Sequence, residues 1–222
     1  VGLIAYKPVF PFAWKLEIIT RRALMDRQTR LMVLGLAGSP RRKGNTDLLL
    51  EAFLSGAESV GAETKIVRVS SLHITACQAC DDCARNGKCI IEDDFQMVDR
   101  QIISADVVAL AAPLYFGGVP AHVKSLVDRS QCQWVRKYRL HETLPNSRAG
   151  YARRKGVLLA TAGDFRANFE GMKRTVRYFF NVYEVDYSTD LIVGGVDVKG
   201  AVEIGMTLKA FSLGKELCHH GN

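Results

Sequence analysis

LMVLGLAGSPRRKGNTDLLLEAFLSGAESV, residues 31–60, decides the fold of this chain. Its first seven residues are continuously apolar and end at Gly38, the pattern of a strand buried on both faces. From Asn45 to Val60, the apolar residues Leu48, Leu49, Ala52 and Phe53 fall at helical spacing. A doubly buried strand that passes through a polar loop into a helix is the first half of a parallel β–α–β unit.

The remaining segments repeat that pattern. TKIVRVS (64–70) reads as a second, half-exposed strand, and Asp94 is placed to cap a helix running through Ser104. VVALAAP (107–113) is another buried strand, followed by a helix from Pro120 to Tyr138 with proline at its start. A polar, basic loop covers 141–155. GVLLATA (156–162) reads as a fourth strand, Asn168 to Asn181 as a helix, 183–193 as a fifth strand and 201–217 as a closing helix. The alternation predicts an α/β fold: one domain over 31–218, with a five-stranded parallel sheet and helices on both faces.

The 222 residues are 48% hydrophobic, enough for one full core. The net charge is +7, and residues 1–30 hold six Lys/Arg against Glu17 and Asp26. No basic stripe interleaved with aromatics follows, so we expect no nucleic-acid partner. No apolar run is long enough to cross a membrane. In residues 1–30, Pro8 and Pro11 break any early helix, while Lys7 and Lys15 make the apolar run a poor signal-peptide core. This N-terminal extension reads as an over-extended start, the protein proper beginning near Met25, or as a docking arm on a partner subunit. A cytoplasmic location is expected.

In parallel sheets of this kind ligands bind outside the carboxyl ends of the strands. The loops there are 38–46, 71–94, 113–119 and 162–168. GSPRRKGNT (38–46) is neither a P-loop nor a dinucleotide fingerprint, because Asn45 and Thr46 follow Gly44. It nevertheless carries what a phosphate needs: the hydroxyls of Ser39 and Thr46, the Asn45 amide, the Arg41 charge and the N–H groups of a helix start. The alternative is a plain strand-to-helix turn capped at Asn45 or Thr46; the loop's length and polarity favour phosphate. PLYFGGVPAH (113–122) sets Tyr115 and Phe116 beside two glycines, a wall for a planar ring or a subunit contact. TAGDFRAN (161–168) is small enough for a ring to lie against its backbone.

The loop after the second strand holds CQACDDCARNGKC, with Cys77, Cys80, Cys83 and Cys89 spaced C-x2-C-x2-C-x5-C. C-x2-C-x2-C wraps one face of a cubane iron–sulfur cluster, and Cys89 could close on the same cluster. Zinc usually takes two knuckles set further apart. Disulfides need an oxidising compartment. Both remain alternatives, as do free redox thiols. Cys132 and Cys218 stand alone and read as small buried hydrophobes.

In this order, GSPRRKGNT, then CQACDDC…GKC followed by IEDD, then APLYFGGVPAHVKSLVDR resemble the iron–sulfur flavoproteins of the NAD(P)H-dependent FMN reductase group. The resemblance covers roughly 31–218. It implies a flavodoxin-like, doubly wound fold and a flavin-dependent oxidoreductase. It implies FMN phosphate on Ser39, Arg41, Asn45 and Thr46, and the isoalloxazine against Pro113, Leu114, Tyr115, Phe116 and Gly117, with Ala162 and Gly163 contributing. It implies a [4Fe–4S] cluster on Cys77, Cys80, Cys83 and Cys89. The donor would be a ferredoxin or NAD(P)H, and the assembly a homodimer or homotetramer. No catalytic side chain is implied, since the flavin does the chemistry. The N-terminal extension and the loop 141–155 depart from the family. Two other readings stand beside this one. The first is an NAD(P)H-dependent FMN or quinone reductase with metal-free cysteines. The second is a non-enzymatic flavodoxin-like electron carrier or zinc-stabilised interaction module, for which the mildly basic charge is unsuited.

Overall fold

The computed structural model describes residues 30–144 and 153–219. In chain order its elements are β1 (Met32–Ala37), α1 (Asn45–Glu58), β2 (Glu63–Arg68), α2 (Phe95–Ser104), β3 (Val107–Pro113), α3 (Ala121–Arg129) and α4 (Gln131–Tyr138). After these come β4 (Arg154–Thr161), α5 (Glu170–Val182), β5 (Val185–Val193), α6 (Val196–Lys199) and α7 (Ile204–Cys218). The five strands pair in parallel in the order β2-β1-β3-β4-β5. This is the flavodoxin-like order, with its switch point between β1 and β3.

The continuous apolar runs are the three central strands, and successive side chains go to opposite faces. Leu34, Leu36, Val108, Leu110 and Leu158 pack under α2, α3 and α5. Val33, Val107, Ala109, Val157 and Leu159 pack under α1 and α7. β2, at the edge, is half-exposed as its mixed composition predicts.

The structure differs from the sequence reading at several places. The helix expected over 120–138 breaks at Ser130, whose hydroxyl turns back onto Leu126 O (2.9 Å) and meets the buried Tyr183 hydroxyl (3.1 Å). Asp94 does not cap α2: its carboxylate takes the His73 amide, while Asp93 Oδ1 accepts the Phe95 N–H at 2.9 Å. Arg154, expected in the basic loop, opens β4, and its buried guanidinium donates to Ile102 O and Ile103 O at the end of α2. Ahead of α7 stands the short helix α6, between the left-handed glycines Gly195 and Gly200. Residues 145–152 of the expected basic loop, and the N-terminal extension up to 29, lie outside the described residues.

α1 and α7 cross at two glycines. A Cβ on Gly56 would stand 1.9 Å from Phe211 O, and one on Gly214 would stand 1.9 Å from Phe53 O. Alanine inside a helix gains about 1 kcal/mol over glycine, but overpacking costs about 1–3 kcal/mol, and here the obstacle is rigid backbone. Gly214→Ala is therefore expected to lower the urea-unfolding midpoint. An unchanged or higher midpoint would show that the helices separate freely.

Candidate functional site

Four walls at the carboxyl edge of the sheet enclose a cleft of about 450 Å³, within the roughly 300–1,000 Å³ range of small-ligand sites. The first wall is the loop from β1 to α1, contributing Ser39, Arg41, Lys43, Gly44, Asn45 and Thr46. The loop is drawn close to α3: a Cβ on Gly38 would be 2.7 Å from Val123, and His122 Nε2 donates to Gly38 O at 2.9 Å. Lys43 adopts a left-handed backbone, with its N–H on Asp47 Oδ2 at 2.8 Å. Asp47 also pairs with Arg68 at 2.8 Å, so the acid of the first helical turn is neutralised from outside the cleft.

The N-cap of α1 is Gly44, and no side chain caps it. Asn45 and Thr46 therefore lie inside the helix, not at its cap. First-turn N–H groups without an intrahelical partner suit an anion. Thr46 and Ser39 are buried. Asn45 Oδ1 accepts the Val202 N–H at 2.8 Å, so what Asn45 can offer an anion is its amide nitrogen.

The second wall is Pro113, Leu114 and Tyr115. Tyr115 and Gly118 exchange both backbone hydrogen bonds (3.0 and 2.9 Å) around Phe116 and Gly117, which have φ of 48° and 77°. Two positive φ values in a two-residue turn are the type I′ pattern. Phe116 and Gly117 form this turn and do not line the cleft; the Phe116 ring is fully exposed. Thr161, Ala162 and Gly163 make the third wall.

The fourth wall, unread in the sequence, is Val196, Asp197, Gly200 and Ala201. Val196 N–H bonds Ala162 O at 3.1 Å, and a Cβ on Gly163 would lie 2.0 Å from Asp197 Oδ2. Gly163 is bare because that carboxylate occupies the space. The signal was the pair Gly194–Gly195, directly after the fifth strand and thus on the ligand-binding edge. Anion donors at one end and a Tyr115–backbone slot at the other fit a phosphorylated planar ligand such as FMN.

The cysteine loop is closed at its neck by a buried pair. Asp93 and Arg129 meet at 2.6 Å, with side chains 3% and 0% exposed. Asp93 also accepts the Thr75 N–H (2.9 Å), and Arg129 donates to Thr75 O (2.9 Å) and Ile91 O (2.8 Å). Burial opposes the Asp93 charge, yet the bonds from Arg129, Thr75 and Phe95 hold its carboxyl below the usual range. Between the cysteines, Ala79 and Asp81 are left-handed, with φ of 53° and 59°; strain of this kind collects at functional sites.

Cys77, Cys80, Cys83 and Cys89 all line one small recess with Arg129 and Cys132. Burial first, then the nearby thiols of Cys89, Cys77 and Cys80, push the Cys83 thiol up. Cys132 and Cys218 are buried, as expected of lone cysteines. At about 30 Å³ the recess holds no more than about one water. Among the described residues no three metal-ligating side chains stand at metal-binding spacing. The donor set nevertheless fits thiolate ligation. The buried Nε of Arg129 has no hydrogen-bond partner, a donor left over beside four thiols.

Residues 31–181 match the family described as NADPH-dependent FMN reductase. Among curated proteins, an iron–sulfur flavoprotein of Methanocaldococcus jannaschii is 39% identical over 101 residues, 46% of this chain and 52% of the relative. One from Archaeoglobus fulgidus is 36% identical over 99 residues, 45% of each chain. The chain thus spans about half the length of these relatives. A second iron–sulfur flavoprotein of Methanocaldococcus jannaschii is 31% identical over 156 residues, 70% of this chain and 73% of the relative. Among solved structures, an NAD(P)H:quinone oxidoreductase from Methanothermobacter marburgensis matches with TM-score 0.59 at 20% identity, covering 87% of this chain and 98% of that one. At that identity the likeness is one of fold.

Proposed function

We propose that this chain, which belongs to the NADPH-dependent FMN reductase family, is a flavin-dependent oxidoreductase that holds FMN in the carboxyl-edge cleft and a [4Fe–4S] cluster in the cysteine loop. The observation that carries the reading is the pairing of an uncapped helix start with a slot of Tyr115 and backbone in one cleft, while four thiols line a second recess. The cluster half is also supported by the iron–sulfur flavoproteins among the relatives.

Ser39, Arg41, Asn45 and Thr46 bind and orient the phosphate. Pro113, Leu114, Tyr115, Ala162 and Gly163 would hold the ring, with the turn of Phe116 and Gly117 next to Tyr115. Cys77, Cys80, Cys83 and Cys89 are the metal ligands. Bound FMN exchanges one or two electrons and the cluster one at a time, so a chain with both can join a two-electron donor to single-electron partners. The donor is NAD(P)H or a ferredoxin-like carrier. The protein works in the cytoplasm as a homodimer or homotetramer. Among the described residues no helix is long and apolar enough to cross a membrane.

A second reading has one observation in its favour. The thiols do not stand at ligating spacing, which suits a cluster-free NAD(P)H-dependent FMN or quinone reductase. Anaerobic purification followed by absorbance, iron and acid-labile sulfide analysis separates the two. We expect about one FMN per chain, with iron and sulfide at about four each, as the cluster's formula requires. Flavin without iron would leave the second reading; absence of both would overturn the proposal.

A further inference from the structure

Arg129 heads the large side chains that are fully buried. A guanidinium out of water needs a counter-anion and partners for five N–H donors. Nη1 serves Asp93 and Thr75 O, Nη2 serves Ile91 O, and the guanidinium lies 4.7 Å from the centre of the Phe95 ring. Three of the five donors are so occupied, and the buried Nε has no hydrogen-bond partner. Arg129 lines the recess of the four thiols, whereas Asp93 does not. The ion pair therefore turns its positive end toward the thiols. A structural clamp alone would not require the cation on that side.

We propose that Arg129 is a positioning residue for the metal centre: its fixed positive charge beside Cys77, Cys80, Cys83 and Cys89 offsets the thiolate charge and raises the reduction potential of the bound cluster. This rests on the reading that these cysteines hold a [4Fe–4S] cluster. Four thiolates around such a cluster make an anionic centre, and reduction adds another negative charge. Net charge and hydrogen bonds to sulfur set such potentials. The Arg129 side chain is itself fully buried, so its charge is screened less than that of a surface cation. Asp81, also on the recess wall, stays constant in the comparison below.

The test uses full-length holoprotein, purified anaerobically and titrated by EPR at controlled potential. Asp93→Asn keeps a carbonyl acceptor for Arg129 but strips its counter-anion, so the potential is expected to rise above wild type. Arg129→Met in the Asp93→Asn background removes the cation without stranding a buried carboxylate. Relative to Asp93→Asn, its reduced-to-oxidised ratio at a fixed poise is expected to fall about tenfold, which is 59 mV for one electron. Mere loosening of the loop predicts no rise in the first variant. FMN content checks the fold of each. A cluster present in all three proteins at one common potential would overturn this inference alone. A wild-type protein free of iron and sulfide would overturn the cluster reading and this inference with it. If the double variant takes up no cluster, Arg129→Gln in the same Asp93→Asn background takes its place: a potential below that of Asp93→Asn supports the inference, and an equal or higher one overturns it.

Discussion

Exchanging Asn45 and Thr46 together for alanine is expected to weaken FMN binding by about 10²- to 10⁴-fold. A hydrogen bond to a charged group is worth about 1.5–3 kcal/mol, and each 1.4 kcal/mol is about tenfold in affinity. The double variant is not clean, however, because Asn45 Oδ1 also holds the Val202 amide and with it the fourth wall of the cleft. Asn45→Asp separates the two roles. It keeps an acceptor for Val202 and places a carboxylate in the first turn of α1. For the ligand-free fold that change is favourable, by about 0.3–1 kcal/mol from the helix dipole. For a bound phosphate it is repulsive. Asn45→Asp should therefore hold or raise the melting temperature of the apoprotein and lower its FMN affinity. Flavin-fluorescence titration of the apoprotein reads the second effect. An unchanged Kd in Asn45→Asp would remove the phosphate assignment.

The parts legible in the sequence were those where one physical demand acts alone. Residues 31–37, 107–113 and 156–160 are apolar without interruption because both faces of the central strands are covered, and those runs are β1, β3 and most of β4. The loop 38–46 was legible as a cleft wall because its polar residues end a buried strand. What escaped were choices between neighbours. Asp93 and Asp94 are equally good caps by type; the pull of Arg129 and His73 in three dimensions assigns them. The break at Ser130 depends on a hydroxyl partner 53 residues away. Phe116 looked like part of a ring-binding wall, but the two-residue turn that Gly117 permits carries it outward. Asp197 could not be paired with Gly163 by sequence alone, because the contact joins two separate loops of the same edge.

Cys83→Ala is expected to abolish iron binding while FMN remains, and Cys132→Ala to leave both in place. The two residues line the same recess, so the comparison isolates chemistry from location. Cys83 sits in the single turn Asp82–Ala84, and its carbonyl accepts the Gly87 N–H at 2.8 Å, which fixes the far end of the loop. Burial and then the charges of the other three thiols push its pKa up. Binding metal would relieve that crowding, since a metal favours thiolates that otherwise repel one another. Cys132 is buried, its thiol donates to Arg129 O at 3.4 Å, and burial pushes its pKa up to about 12. It stays protonated and serves as packing. Loss of an outer partner of a metal ligand typically costs about 10–100-fold in affinity, and loss of a ligand itself should cost more. Cys83→Ala should also keep direct reduction of its flavin by a nicotinamide donor while losing transfer from one-electron donors. Iron, flavin content and both activities, measured side by side, decide it. Iron retained in Cys83→Ala and lost in Cys132→Ala would mean that the centre is built on a different set of thiols.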